Sequence, residues 1–222
     1  GCNNTGEIRD VMQHEWGHGL DANDGMPSVD RAMGEAYGDH IALFIDHDSC
    51  IGQSFSASGS GPYCITNPDC TTEATCTGVR NIDEKRTTIG VMDITAARTI
   101  CSTRSCGPSP LNRQCHCEGQ VYSQTAFHLA YNLLTGVDYG TSVPLAGANP
   151  AMSEQAAWFI HERTFFGAAQ IQSSYAPSGL QSFGTGAYDA YMTIDDDDGD
   201  LSNGTPHAEY INKAFQHHEI EE

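Results

Sequence analysis

Cations are scarce in this chain. Ten lysines and arginines stand against 29 aspartates and glutamates in 222 residues, a formal net charge of −19. Phosphate binding needs a basic surface, so this shortage argues against nucleic acid as a partner. Long apolar runs are missing too: no stretch approaches the roughly 20 residues of a membrane span, which argues against a membrane partner. Few segments alternate apolar and polar residues as strands do, and the chain reads as mainly α. No paired C-x-x-C occurs, so the usual spacing of a structural zinc site is lacking. No signal peptide is visible, which indicates only that Gly1 is not the translated start.

What the chain does have is cysteine, nine in all: Cys2, then eight within residues 50–117. That segment is also rich in Gly, Ser, Thr and Pro, and poor in long apolar runs apart from a short helix expected near residues 92–100. It reads as an inserted loop region stapled by disulfides, hence an oxidising compartment and a secreted protein. The rival reading is a second zinc site with Cys115-His116-Cys117 at its core; the spacing favours disulfides. Cys2 pairs either with an insert cysteine or with protein outside this chain. The whole, residues 1–222, is long enough for one sizeable domain with a real core.

The richest local signal is Asp10-Val11-Met12-Gln13-His14-Glu15-Trp16-Gly17-His18. Four residues of α-helix advance a little more than one turn, so His14 and His18 share a face. Two imidazoles so placed can bind one Zn2+, with Glu15 flanking the position of a metal-bound water. Catalytic zinc needs a third protein ligand. A second helix is expected over residues 29–46, with Pro27 or Ser28 near its start, and it carries Glu35 and Asp39 one turn apart among small or apolar neighbours. Glu35 is the candidate third ligand. Asp39 is placed to accept a hydrogen bond from the non-ligating nitrogen of a ligand histidine.

These residues resemble the gluzincin metallopeptidases, particularly thermolysin-like enzymes: Asp10-Val11-x-x-His14-Glu15-x-x-His18-x-x-Asp21, then Gly34-Glu35-x-x-x-Asp39. Met33-Gly34-Glu35 is also similar to the fungalysins. A third match, Asn203-Gly204-Thr205-Pro206-His207 followed by Ile211-Asn212-Lys213-Ala214, resembles the thermolysin-type segment whose histidine contacts the tetrahedral intermediate. The resemblance covers residues 7–46 and 200–216, and is thin between them. It implies a zincin-like helical catalytic lobe and a largely β lobe upstream. Since only 13 residues precede His14, that lobe is expected to be missing from this chain, which then reads as a fragment, a processed C-terminal part or a reduced variant. The family commonly places an aspartate before the Asn-Gly pair to hold the catalytic histidine. Here that position is Ser202, and Asp200 is the nearest carboxylate. The tyrosine that stands beside that histidine in the family has no match in the 19–34 loop; Tyr188 or Tyr191 could substitute.

Three further helices are expected: residues 119–135, closed by Gly136; a helix capped by Ser153 and stopped by Gly167; and one with Thr205 as N-cap and Pro206 as first residue. The last puts His207 in a first turn, where the helix dipole disfavours the imidazolium and a neutral donor is expected. His161-Glu162 reads as ordinary helix. His128, His217 and His218 read as surface or satisfied core histidines without a paired ligand. Two acidic sets are calcium candidates: Asp196, Asp198 and Asp200 in the aspartate run around Gly199, and Asp10, Asp46 and Asp48, which match positions where thermolysin-like enzymes hold calcium.

Together these readings predict a secreted zinc-dependent metalloendopeptidase with a protein or peptide substrate. His14, His18 and Glu35 hold zinc, Glu15 takes the proton of the activated water, and His207 donates to the oxyanion. The alternatives are a non-catalytic, calcium-stabilised, disulfide-rich secreted module with a vestigial zinc site, and a gluzincin aminopeptidase.

Overall fold

The protein is described by a computed structural model over residues 5–26, 30–52, 55, 78–87, 89–104, 106–145, 152–177, 180 and 185–221. The architecture is mainly α. Among the described residues eight α-helices follow in order: α1 (Arg9–Asp21), α2 (Arg31–Asp46), α3 (Ile94–Ile100), α4 (Cys115–Glu118), α5 (Gln120–Thr135), α6 (Glu154–Ala169), α7 (Ala187–Asp195) and α8 (Ala208–His217). Between α2 and α3, β1 (Cys50–Ile51) and β2 (Arg80–Asn81) form a short antiparallel pair in which Cys50 faces Asn81 and Ile51 faces Arg80.

The core is built around α2 and α5. Apolar side chains on most sides of α2 are buried, including Met33, Tyr37, Ile41, Leu43 and Phe44. One flank of α2 packs on α1, another on α5, and α5 in turn meets α6 and α8. The α1–α2 contact is very close because glycines face each other there. A Cβ on Gly17 would lie 2.6 Å from Gly38 Cα, and a Cβ on Gly38 would lie 2.3 Å from the His14 ring. Hydrogen is thus the only side chain at Gly38 that leaves His14 its place.

Several boundaries differ from the sequence reading. The start of α2 is capped by Asp30, whose carboxylate accepts from Ala32 N and Met33 N; Pro27, Ser28 and Val29 lie outside the described residues. Ser153 does cap α6, accepting from Ala156 N. Gly167 does not stop that helix, which runs on to Ala169. The glycine serves close packing instead, since a Cβ there would meet Ile194 at 2.6 Å. Nor does Thr205 cap α8. Its hydroxyl donates to Asp195 at 2.7 Å, Pro206 sits in a turn, and His207 itself is the N-cap residue. α5 is buried on its polar side as well, through Ser123, Gln124, His128 and Asn132, because it lies between α2, α6 and α8.

Within the cysteine-rich segment, Cys101 pairs with Cys117 and Cys106 with Cys115. Cys50 is also disulfide-bonded. Cys115 and Cys117 are therefore spent as thiolates, and the rival zinc site centred on them is ruled out. Cys2, Cys64, Cys70 and Cys76 lie outside the described residues.

Candidate metal centre

Helical spacing brings His14 and His18 onto one face of α1, ring centroids 4.8 Å apart. The α1–α2 contact sets Glu35 opposite them: its Oε2 lies 3.4 Å from His14 Nε2 and 4.0 Å from His18 Nε2. One ligand atom from each of the three residues falls within 4.8 Å of the others. Two further groups reach the same oxygen, one that the sequence offered only for the rival zinc site, His116, and one that it did not single out, Arg80. His116 Nε2 of α4 stands 3.3 Å away, and the Arg80 guanidinium of β2 stands 3.8 Å away. Glu35 Oε2 is buried, yet no hydrogen bond is formed to it. Two imidazoles and a carboxylate match the donor set of catalytic zinc, and an orphaned carboxylate oxygen between them fits such an ion.

Asp39 supports this group from behind. Its Oδ1 takes the other nitrogen of His14, Nδ1, at 3.0 Å, which leaves Nε2 to face Glu35. Its Oδ2 accepts from Ser123 Oγ of α5 at 2.7 Å, and Arg80 Nε lies 3.3 Å from Oδ1. Burial alone would raise the pKa of Asp39, but Arg80 and the hydrogen bonds to His14 and Ser123 outweigh it and hold it below the ordinary value. Burial opposes a charge on His14, while the hydrogen bond to Asp39 and the nearby Glu35 carboxylate more than compensate and raise it to about 9. For Glu35 the desolvation penalty is overcome by His14, His116, Arg80 and His18, and its pKa falls.

A cavity of about 190 Å³ opens beside the group. Glu15, exposed on α1, lines it together with His14, His18, His116, Arg80 and the apolar side chains of Val11, Ile51, Phe55 and Val79. A larger hollow of about 710 Å³ lies along α6 beside His47 and Trp158, but gathers no comparable donor set.

His207 is not among the residues lining the smaller cavity. Its carboxylate partner is Asp195, at the end of α7, rather than Asp200. Asp195 Oδ1 meets His207 Nδ1 at 2.6 Å and Oδ2 accepts the His207 N–H at 2.7 Å. Burial would raise the pKa of Asp195, but hydrogen bonds from His207 and Thr205 lower it. Asp195 thus holds the ring by Nδ1, and Nε2 is the edge turned away from that carboxylate. Asp200 instead turns its own loop, accepting from Ser202 N. Neither tyrosine joins the cavity: Tyr191 is buried against Phe215, and the Tyr188 hydroxyl bonds Asn212.

The calcium candidates fare unevenly. Asp46 is engaged by Arg9 and by Gln13, and does not gather with Asp10 and Asp48 into a ligand set among the described residues. Asp48 is pushed up to about 6 by burial, with the nearby charge of Asp10 adding to the rise. In the aspartate run, the carboxylates of Asp196, Asp197 and Asp198 come together, and that of Asp200 is not part of the group. These side chains mostly accept from their own loop: Asp196 from Asp198 N, Asp198 from Asp200 N and Asn203.

Compared with family profiles, with curated proteins and with solved structures, the chain finds no match. The chemistry of the site therefore rests on its own geometry.

Proposed function

We propose that this protein is a secreted zinc-dependent metalloendopeptidase of gluzincin type, with His14, His18 and Glu35 as zinc ligands. The observation that carries this reading is the buried, unbonded Glu35 Oε2 facing the Nε2 atoms of both helix-paired histidines, beside a cavity lined by Glu15. Bound zinc would act there as a Lewis acid toward a peptide carbonyl and its attacking water.

The protein's own groups do the rest. Glu15 takes a proton from the attacking water and returns it to the leaving amine, the general acid–base role open to an exposed carboxylate beside the ligands. Asp39 holds His14 in the tautomer that presents Nε2. His207, held in place by Asp195, is the donor that the reading assigns to the developing oxyanion. The apolar lining of Val11, Ile51, Phe55 and Val79 suits an apolar side chain of a peptide next to the scissile bond. Secretion is supported by the disulfides Cys101–Cys117 and Cys106–Cys115; among the described residues no helix is long and apolar enough to cross a membrane.

The test is cleavage of a casein-like substrate by wild type and E15Q, with zinc content measured in both. Chelator-sensitive cleavage of internal bonds that E15Q abolishes without losing zinc is the expected result. Turnover retained in E15Q sinks the assignment, and release of single N-terminal residues alone would move it to an aminopeptidase.

A further inference from the structure

The fold brings a second set of histidines together. His128 lies midway along α5, His217 ends α8, and His218 follows it as the C-cap residue. One ring nitrogen of each lies within 4.8 Å of the other two, and the ring centroids are 4.9, 5.0 and 5.6 Å apart.

Each ring has one nitrogen held by an acceptor. His128 Nε2 meets Asp138 Oδ1 at 2.9 Å, His218 Nδ1 meets the Met92 carbonyl at 2.9 Å, and His217 Nε2 meets the Glu84 carboxylate at 3.0 and 3.1 Å. In a neutral imidazole the held nitrogen carries the proton and the other keeps a bare lone pair. His128 Nδ1 and His218 Nε2 are such atoms, and both are buried without any hydrogen-bond partner. The residues themselves are 1% and 0% exposed. Leaving a buried polar atom unsatisfied is costly, so two in one cluster point to a shared occupant. An outer nitrogen tied to a carboxylate or carbonyl and an inner lone pair aimed at an ion is the usual posture of a metal-bound histidine.

We propose that His128, His217 and His218 bind one divalent first-row ion of the zinc type, through one imidazole nitrogen each. The site is structural and separate from the His14 centre. It fastens the end of α8 to α5, with Asp138, Glu84 and the Met92 carbonyl orienting the rings. Ligand nitrogens about 2.0–2.1 Å from a tetrahedral ion lie about 3.3 Å apart, so the rings draw in by at most about 1.5 Å on binding. The lesser alternative occupant is a buried water.

Metal-free protein titrated with Co2+ or Zn2+ tests this. Wild type takes up two equivalents, and H14Q/H18Q and H217Q take up one each. His217 is the member to replace because its side chain is 26% exposed, which spares the core. E84Q keeps all three imidazoles and weakens this site about 10–100-fold without touching the other; it carries the test if H217Q does not fold. X-ray absorption of zinc-loaded H14Q/H18Q shows three imidazole ligands. No metal bound by H14Q/H18Q, or binding there that H217Q and E84Q leave unchanged, overturns the proposal. A single equivalent lost in H217Q yet retained in H14Q/H18Q supports this site and removes the zinc assignment of the other.

Discussion

The two histidine centres differ in how the chain builds them. His14 and His18 are one turn apart on α1, and Glu35 is reached through a helix contact made close by Gly17 and Gly38. His128 and His217 are 89 positions apart and meet only because α8 packs on α5. The first centre borders an open cavity; in the second, two of the three residues are fully buried. Openness suits a reactive site, which must keep a coordination position for substrate, whereas closure suits a structural one.

The largest test of that contrast is E15Q, expected to lower kcat by about 10²- to 10⁴-fold, the range for loss of a general base, while both centres keep their metal. A comparable loss of activity in H217Q with intact folding would erase the distinction between reactive and structural.

A third pair sharpens what makes a buried histidine ready for metal. His40 and His161 are also fully buried, but their rings are packed against Phe44 and Phe165, and neither ring is bonded to a carboxylate. Burial lowers His40 to about 4 and His161 well below its usual value. Between pH 6.5 and about 4 the unfolded chain binds a proton that native His40 refuses, so its contribution is present above pH 6.5 and lost as pH falls. Relative to H40F, wild type should lose up to about 3 kcal/mol across that window, at about 1.4 kcal/mol per unit. Urea unfolding at several pH values measures it; a pH-independent difference contradicts a neutral buried His40.

D39N should weaken zinc at the first centre about 10–100-fold, as loss of an orienting carboxylate does, and leave the second centre unchanged in competition with a chelator. Equal loss at both would show one coupled system. The smallest effect belongs to S123A, which removes one hydrogen bond to Asp39 and should cost about 0.5–1.5 kcal/mol of stability. Thermal unfolding measures it, and a larger fall in zinc affinity than in stability would make Ser123 part of the metal support.

What the sequence made legible follows the same division. The α1 histidine pair, Glu35, Asp39 and the mainly α class were readable, because each depends on spacing within a helix. Arg80 and Asp195 were not, because each arrives from another element and carries no local pattern, and His116 was visible only within Cys115-His116-Cys117, a pattern that pointed to a different site. Gly167 misled for a related reason: a glycine reads as a stop unless the neighbour it admits, here Ile194, is known. His217-His218 is a visible pair, but nothing in it names His128 as the third member.

Cys101–Cys117 and Cys106–Cys115 close loops of their own and reach neither α1 nor α2. They brace the segment that carries His116, while α1 and α2 present His14, His18 and Glu35 across their mutual packing. The centre thus has one wall braced by two disulfides and a floor made where two helices meet. A reductant should slacken the wall first, so that His116 drifts from Glu35 while His14, His18 and Glu35 remain assembled.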